Sequence, residues 1–542
     1  MKPTPDYDAI VIGSGSGGLT AGLALARAGR RVAVFEQHTL PGGYSQSFEL
    51  EGFLFSPGIH YIGQLGPGER LRVIYEGLGI ANDLVFLELN PDGYDRVFVG
   101  ENRFDIPKGR ERFRERLRDR FPAEARGIDG YFEAVRKISE ELAWARPPTN
   151  LSDAARLPFR LPTVLRFGLE PLERFLDRFV SDPLVRAILS IQSGDHGMAP
   201  SRAPTALHAG LQSYYFDGAC YPRGGGRSIP EAMTAHIRSH GGEVFLGTEV
   251  DRILVEAGRA RGVRLSDGQE VSADVVVSNA DPGVTWGQLV DPTLQGARLR
   301  RRIGRLHYSV SALSLFLAVD LDLRAAGLDS GNVWYSRTPD IGAAYRAAET
   351  RDLSNLDATP GLFFNVTTLK DPSLREDGLH TVEALALSTP RAFRAWRDSE
   401  PGARGAVYEA LKERISKLIL AEVDRFVPGF SERVVFHSLG TPLTNMHFMH
   451  ATDGGIYGTE KTWRNLGPFG FPIRTHLKGL FQCGASTFAP GIHGVTTSGL
   501  AAAAAALGCE DDELLTASGQ ELRIYPADDP DRWPVELRPR KQ

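Results

Sequence analysis

The sequence predicts an α/β chain with a Rossmann-type nucleotide-binding domain and a second, α+β lobe. Three observations carry that reading. An apolar run at 7–12 leads directly into Gly13, Gly15 and Gly18 in GxGxxG register. A helical pattern follows, ends at Gly29, and gives way to the strand-like "RVAVFE". The chain has 542 residues, which exceeds one ordinary core and points to two large lobes.

Residues 7–12 alternate little, as expected of a strand buried on both faces. In the glycine turn the first glycine permits the tight bend and the second lets backbone approach a pyrophosphate. The third lets the next helix pack closely on the strand. Leu19 to Ala28 reads as that helix, with Gly29 at the C′ position. Glu36 closes "RVAVFE" where a carboxylate accepts hydrogen bonds from ribose hydroxyls. The helix start supplies amide donors and a favourable dipole for a diphosphate. The continuation "TLPGGYSQSF" adds Gly42-Gly43, which lets the chain run close to a long dinucleotide and argues for FAD over NAD. No second GxGxxG occurs downstream, so flavin is expected to be the only nucleotide with a dedicated fingerprint.

Residues 69–145 read as helices rich in paired Arg and Glu, a solvated face. Segment 151–190 mixes Phe and Leu with Arg156, Arg160, Arg166, Arg174 and Arg178, broken by Pro158, Pro162 and Pro171. It reads either as a basic amphipathic segment, lying on a membrane or capping an apolar pocket, or as an ordinary helix on the core. The α/β character returns with a helix near 229–239, "GGEVFLGTEVDRI", a hairpin at Ser266-Asp267-Gly268 and the strand "ADVVVSNA". Between 300 and 470, "SVSALSLFLAVD", "GLFFNV" and "HTVEALAL" read as strands, followed by a helical pattern over 403–426. "HLKGLFQCGASTFAPGIHGVTTSGLAAAAAALG" then reads as strand, turn and a helix beginning near Gly491–Gly494 whose small first turn aims at the nucleotide. The tail beyond Glu510 is acidic, then Pro-rich, and is expected to pack loosely or on the surface. The implied division is 1–68, 218–290 and 474–510 for a discontinuous FAD-binding domain. Residues 69–217 and 291–473 form a substrate-binding domain, and 511–542 a C-terminal tail.

A net charge of -5 gives no reason to expect a nucleic-acid partner. Cys220, Cys483 and Cys509 are scattered without CxxC or metal spacing, which suits structural thiols in a reducing compartment and no metal. The most apolar runs fall short of the roughly 20 residues that span a bilayer. No leader is expected ahead of the first strand. The expectation is a cytoplasmic protein with membrane contact that is peripheral at most.

Five blocks together resemble a known family. They are "GFLFSPGIHYIG" (52–63), "GDHGMAPSRAPTALHA" (194–209), "YYFDGACYPRGG" (214–225), "GTPLTNMHF" (440–448) and "GLFQCGASTFAPGIHGVTTSGL" (479–500). The chain resembles the flavin-dependent amine-oxidase-like superfamily, of glutathione-reductase-like fold. Within it the chain is similar to the phytoene desaturase, carotenoid isomerase and retinol saturase branch, to the saturases above all. The resemblance implies FAD and an apolar conjugated polyene, a retinoid, carotenoid or related lipid, laid against the flavin that carries the redox chemistry. It implies saturation of a C=C bond by hydride from reduced flavin, with desaturation or redox-neutral cis–trans isomerisation as alternatives and NADH or NADPH as candidate external reductant.

By the same resemblance Gly13, Gly15, Gly18 and Glu36 take the diphosphate and ribose, with Gly42 and Gly43 beside them. Arg223, Gly224 and Gly225 would lie near the flavin, and Val250 would offer its backbone to the adenine. Gly484 and the residues after it would close over ribitol and pyrophosphate. The chain departs from the family in carrying Ala485-Ser486 where an Asp is usual. Either Ser486 or backbone replaces that acceptor, or FAD binds less tightly. His60 and Tyr61 are candidates to protonate a carbanion-like carbon once hydride arrives, and His493 is a third. Packing or backbone hydrogen bonding is the alternative role for each. The Rab GDP-dissociation inhibitors, similar in fold, offer a reading as a lipid carrier without flavin. The intact glycine register, Glu36 and Gly42-Gly43 argue against it.

Overall fold

The computed structural model describes residues 5–143, 156, 159–349, 356, 358–516 and 518–539. β1 (Tyr7–Ile12), α1 (Ser16–Arg27) and β2 (Val32–Phe35) form the expected opening unit. The strand Glu243–Phe245 pairs with β2, and β1 pairs on its other side with Glu270–Ser278, which in turn pairs with Leu480–Gln482; every one of these pairings is parallel. Val250–Glu256 and Arg259–Leu265 extend the sheet by antiparallel pairing on the first half of Glu270–Ser278, completing seven strands. Three remote stretches of chain therefore meet in one sheet. α1 is buried from Ser16 to Ala26, because the helices Ser228–Ser239 and Gly491–Leu507 both pack against it. The closest approach is glycine on glycine. A Cβ on Gly499 would stand 2.1 Å from the carbonyl oxygen of Gly17.

A second seven-stranded sheet runs in the order Val434–Gly440, Ser311–Val319, His380–Ser388, Gly361–Val366, Asn332–Ser336, Asp95–Val99 and Asn102–Ile106. All its pairings are antiparallel except that of Asn332–Ser336 with Asp95–Val99. Leu313, Leu315 and Leu317 share an apolar cluster with Ile415, Ile419 and Val423 of the helix Ala406–Val423. Val97, Trp334 and Phe363 belong to another cluster, with the helices Ala125–Ala143 and Thr205–Tyr215.

Two expectations are corrected. The stretch 69–145 is not all helical: Val85–Glu88, Asp95–Val99 and Asn102–Ile106 are strands, the last two a hairpin turned at Gly100 (φ 57°). The last two carry scattered Arg and Asp suited to a solvated helix, yet pairing of Asp95–Val99 with Asn332–Ser336 holds the hairpin extended, while Val85–Glu88 pairs with Cys220–Pro222 in a separate small sheet. The C-terminal tail is not loose. Arg523–Pro526 pairs parallel with Val85–Glu88, and Trp533 is fully buried, its indole N–H donating to the Pro526 carbonyl at 2.7 Å. Burying an indole with its donor satisfied fixes such a segment firmly. No helix among the described residues is long and apolar enough to cross a membrane.

Candidate active site

The turn after β1 is shaped by backbone crowding. Gly13 has φ of 89°, and a Cβ on Gly18 would lie 2.0 Å from the Gly13 carbonyl oxygen. A Cβ on Gly15 would meet the Asn279 amide nitrogen at 2.7 Å. One on Gly17 would meet the Asn279 amide oxygen at 2.7 Å and the Val495 carbonyl at 2.9 Å. Asn279, just beyond Glu270–Ser278, thus fills the centre of the turn and reaches Gly484 as well. α1 has no side-chain cap, which leaves its first-turn amides available to an anion.

Glu36 is buried and organises the rim. Its Oε2 accepts from the Ser14 backbone and hydroxyl, each at 2.8 Å, and Oε1 accepts from the His38 amide at 2.8 Å. Oε1, with a single donor, keeps a lone pair for a further donor such as a ribose hydroxyl. Gly42 (φ 115°) donates to the Ser14 carbonyl at 3.1 Å, and a Cβ on Gly43 would touch Gly15 Cα at 3.4 Å. Opposite, the Gly484 amide donates to Ser498 Oγ at 2.8 Å, and Ser486 Oγ accepts from the Thr459 amide at 3.1 Å. Near this turn Thr459 Oγ1, Lys461 Nζ and Thr497 Oγ1 are buried without a hydrogen-bond partner. Glycines that exclude side chains, an uncapped helix start and orphaned polar atoms fit a long, polar, anionic ligand such as a flavin dinucleotide.

Beyond the cradle the chain passes to a different kind of site. Gly58 packs on Tyr44, so that a Cβ there would meet the Tyr44 carbonyl at 2.4 Å, and this carries 59–61 inward. Tyr44, Asp195, Tyr214, Tyr457 and His493 lie so deep that burial dominates their titration, yet each keeps some accessible surface. Tyr457 lies within electrostatic reach of Asp195 and Tyr44, and Tyr214 within reach of Asp195, so these partly accessible side chains form one cluster. Three of the five are tyrosines, which suits an apolar guest with few polar contacts.

One side of this region is a polar row across four strands. Asp95 pairs with Asn332, and Asn365 pairs with Glu383; the register Val333↔Phe364 sets Asn332 across from Asn365. All four are fully buried, as is Lys370, which follows the strand Gly361–Val366. Lys370 Nζ donates to the His60 carbonyl and to Asn332 Oδ1, both at 2.5 Å. Asn332 Nδ2 donates to Asp95 Oδ1 at 2.9 Å, and Gln192 Nε2 to Asp95 Oδ2 at 2.8 Å. Glu383 accepts from the Ser56 amide at 2.6 Å and lies 3.0 Å from His60 Nδ1. The Tyr61 hydroxyl donates to Asp195 at 2.6 Å, and its ring stacks on Tyr215 at 4.4 Å. Burial pushes the Asp95 carboxyl up to about 6, against the bonds from Asn332 and Gln192 and the charge of Lys370. Burial also drives the Lys370 ammonium down to about 7, although Glu383 and Asp95 oppose it. Tyr61 is pushed well above 10, first by burial and then by Asp195.

The structure gathers Gly13, Gly15, Gly18, Glu36, Gly42 and Gly43 around one turn, with Gly484 in contact with the same Asn279. Ser486 is one turn away and already engaged with Thr459. Val250 is buried in the cluster containing Ile12 and Phe35, and the neighbouring Thr248 amide donates to the Glu36 carbonyl at 2.7 Å. A Cβ on Gly225 would meet Ser56 Oγ at 2.9 Å, and Gly226 lies on Ser45, whose hydroxyl is 2.7 Å from that of Ser16. The Arg223 guanidinium donates to the Leu537 carbonyl of the tail at 3.2 Å, while its Nε is buried without a hydrogen-bond partner. The tail occupies the direction in which that side chain extends. His493 stands in the first turn of Gly491–Leu507, its ring 5.6 Å from Tyr214, and burial lowers its pKa to about 4. It is therefore neutral near pH 7. Sequence reasoning missed Asn279, Asp95, Lys370 and Glu383. A lone acid inside the apolar strand "HTVEALALS" was the available signal for Glu383. Asp195 sits in a block already noted, without a role.

Residues 16–507 match the family described as flavin containing amine oxidoreductase. An all-trans-retinol 13,14-reductase from Danio rerio is 30% identical over 91% of this chain and 85% of its own length. A chloroplastic prolycopene isomerase from Arabidopsis thaliana is 28% identical over 91% of this chain and 81% of its own. An oxidoreductase from Methanosarcina mazei, 19% identical, shares the fold with a TM-score of 0.61 over 91% of this chain and 99% of that one.

Proposed function

Because this chain belongs to the flavin containing amine oxidoreductase family and is an FAD-dependent oxidoreductase, we propose that it reduces a C=C bond of an apolar conjugated polyene, a retinoid, carotenoid or related lipid. The carrying observation is the deep, partly accessible cluster of Tyr44, Tyr214, Tyr457 and Asp195, with His493 at the start of the helix Gly491–Leu507 that packs on α1. The flavin, when bound, supplies the hydride; NADH or NADPH is the proposed reductant that recharges it. Gly13, Gly15, Gly18, Gly42 and Gly43 admit its diphosphate, Glu36 its ribose, and Gly484 with Ser486 its ribitol side. Gly224, whose amide donates to Asp371 at 2.7 Å, and Gly225, packed on Ser47 and Ser56, lie near the flavin, and Val250 backs the adenine end. This division assigns 1–68, 218–290 and 474–510 to the flavin and the two intervening stretches to the substrate.

His60 and Tyr61 set up the proton side. His60 is clamped by Glu383 through its ring and by Lys370 through its carbonyl. Tyr61 holds a hydroxyl against Asp195. His493, neutral near pH 7, acts by packing on Tyr214 and not as an imidazolium acid. The tyrosine walls exclude water, which keeps reduced flavin from futile side reactions.

Anaerobic reduction of the purified flavoprotein with NADH, NADPH or dithionite, followed by a panel of polyenes and mass analysis, tests the reading. The expected result is flavin reoxidation with a product two hydrogens heavier. A product of unchanged mass formed only on reduced flavin would establish isomerisation instead, the activity named for the Arabidopsis relative. We further propose delivery from a membrane surface. Phe159, Leu165 and Leu169 are exposed beside Arg156, Arg160 and Arg166, although 151–155, 157 and 158 lie outside the described residues. Vesicle co-sedimentation unchanged after neutralising the three arginines would remove that anchor.

A further inference from the structure

Two buried carboxylates meet on one hydroxyl. Tyr61 Oη lies 2.6 Å from Asp195 Oδ2 and 3.3 Å from Asp95 Oδ2. A phenol has one proton and serves one of them at a time. Asp95 is well provided otherwise, with Gln192 and Asn332 donating to its two oxygens and Lys370 Nζ donating in turn to Asn332. For Asp195, Tyr61 is the only hydrogen-bond donor among the described residues. Two carboxylates this close in a low dielectric do not both ionise, and the proton settles where compensation is poorest. That place is Asp195.

The surroundings reinforce this. The titratable groups that face Asp195 are Asp95 and six tyrosines: Tyr61, Tyr94, Tyr214, Tyr215, Tyr345 and Tyr457. Burial keeps each of those phenols neutral at ordinary pH, and the set contains no cation. Burial, then the charge of Asp95, holds the Asp195 carboxyl well above the usual carboxylate range. Its backbone is pinned: a Cβ on the preceding Gly194 would stand 2.3 Å from the Trp334 ring, so backbone lies flat on the indole. Asp195 also keeps accessible surface, which leaves its carboxyl within reach of a ligand.

We propose that Asp195 is the acid that protonates the substrate, with Tyr61 and Asp95 as its positioning residues; this rests on the reading of the chain as a C=C reductase. Hydride from reduced flavin forms one new C–H bond. The π electron pair takes the Asp195 carboxyl proton on the adjacent carbon, forming the second. The C=C bond becomes CH–CH, reduced flavin becomes oxidised, and Asp195 is left as a carboxylate that Tyr61 steadies until solvent restores its proton. A neutral buried carboxylic acid is a far better donor to carbon than a phenol held well above its ordinary pKa.

The test uses the full-length flavoprotein and the variants Asp195→Asn, Asp95→Asn and Tyr61→Phe. Infrared difference spectra near pH 7 should show the carbonyl stretch of a protonated carboxyl in wild type, Asp95→Asn and Tyr61→Phe, and lose it in Asp195→Asn. Its absence from wild type would overturn the proposal without any activity measurement. In single turnovers of anaerobically reduced enzyme with a retinoid or carotenoid, Asp195→Asn should keep its flavin and substrate binding. It should reoxidise about 10²–10⁴-fold more slowly. The wild-type rate should fall as pH rises through the Asp195 ionisation, and that limb should vanish in Asp195→Asn. Wild-type turnover matched by Asp195→Asn overturns the donor assignment alone. No turnover of any polyene by wild type overturns the C=C reading, and the donor assignment with it.

Discussion

The nucleotide turn and the buried polar row are made of opposite materials. The turn is mostly backbone: Gly13, Gly15, Gly17 and Gly18 crowd so closely that none could carry a side chain of its own, and the free amides of α1 are its donors. The row is side chain: Asp95, Asn332, Asn365, Lys370 and Glu383 come from four strands and the turn after one of them, sharing hydrogen bonds with almost no solvent. Backbone recognition depends on a bend a few residues long, so it tolerates little substitution but is simple to encode. A buried network depends on every partner arriving together, and a missing partner leaves an unpaired buried group at about 1–3 kcal/mol, more if charged.

The largest effect that separates the two regions is expected at the turn. Gly15→Val puts a branched side chain where a Cβ alone already stands 2.7 Å from Asn279 and where a diphosphate would lie. The variant should fold by circular dichroism yet purify colourless; a folded, equally yellow protein sinks the assignment of the turn to flavin.

The polar row should answer to pH instead. The folded-state pKa of Lys370, about 7, lies below its ordinary 10.5, so unfolding takes up a proton throughout that window. Stability should therefore rise as pH is raised from 7 toward 10, by on the order of a few kcal/mol. Lys461, also lowered by burial to about 7, adds a second such contribution. Denaturant titrations at pH 7, 8 and 9 should show Lys370→Met with a distinctly shallower rise than wild type. Equal slopes would mean that Lys370 is charged or solvated in the folded protein.

The smallest effect belongs to Ser486, which sits between the two kinds of construction. Its hydroxyl accepts one bond, from the Thr459 amide. Ser486→Ala should cost about 1 kcal/mol of stability, with flavin affinity lowered by less than tenfold. A fall in affinity of a hundredfold or more would make Ser486 a principal flavin ligand.

Much of the cradle was legible because its cues are local. A glycine register, a helix stop at Gly29 and an acid at the end of a strand all act within thirty residues, and β1, α1 and β2 appear where they imply. The closing helix was legible for the same reason, since its small residues announce close packing on α1. The bond from Arg223 to the tail was not legible, because its partner Leu537 lies some three hundred residues later. The strands at 85–106 were hidden because the charged residues of 95–106 fit a solvated helix equally well, and only pairing with chain more than two hundred residues away buries Asp95–Val99 inside a sheet.

The sequence by itself determined that a dinucleotide turn opens the chain, that its sheet is assembled from distant segments, and that flavin chemistry belongs to the family. Only tertiary structure decided which acids matter. Asp95, Asp195 and Glu383 lie far apart along the chain. Their chemistry arises from strand register, which aligns Asp95 with Asn332 and Asn365 with Glu383, and from helix packing that encloses Asp195 among tyrosines. A carboxyl group's acidity is set by the charges and the dielectric around it, and those are properties of the fold, absent from any short stretch of sequence.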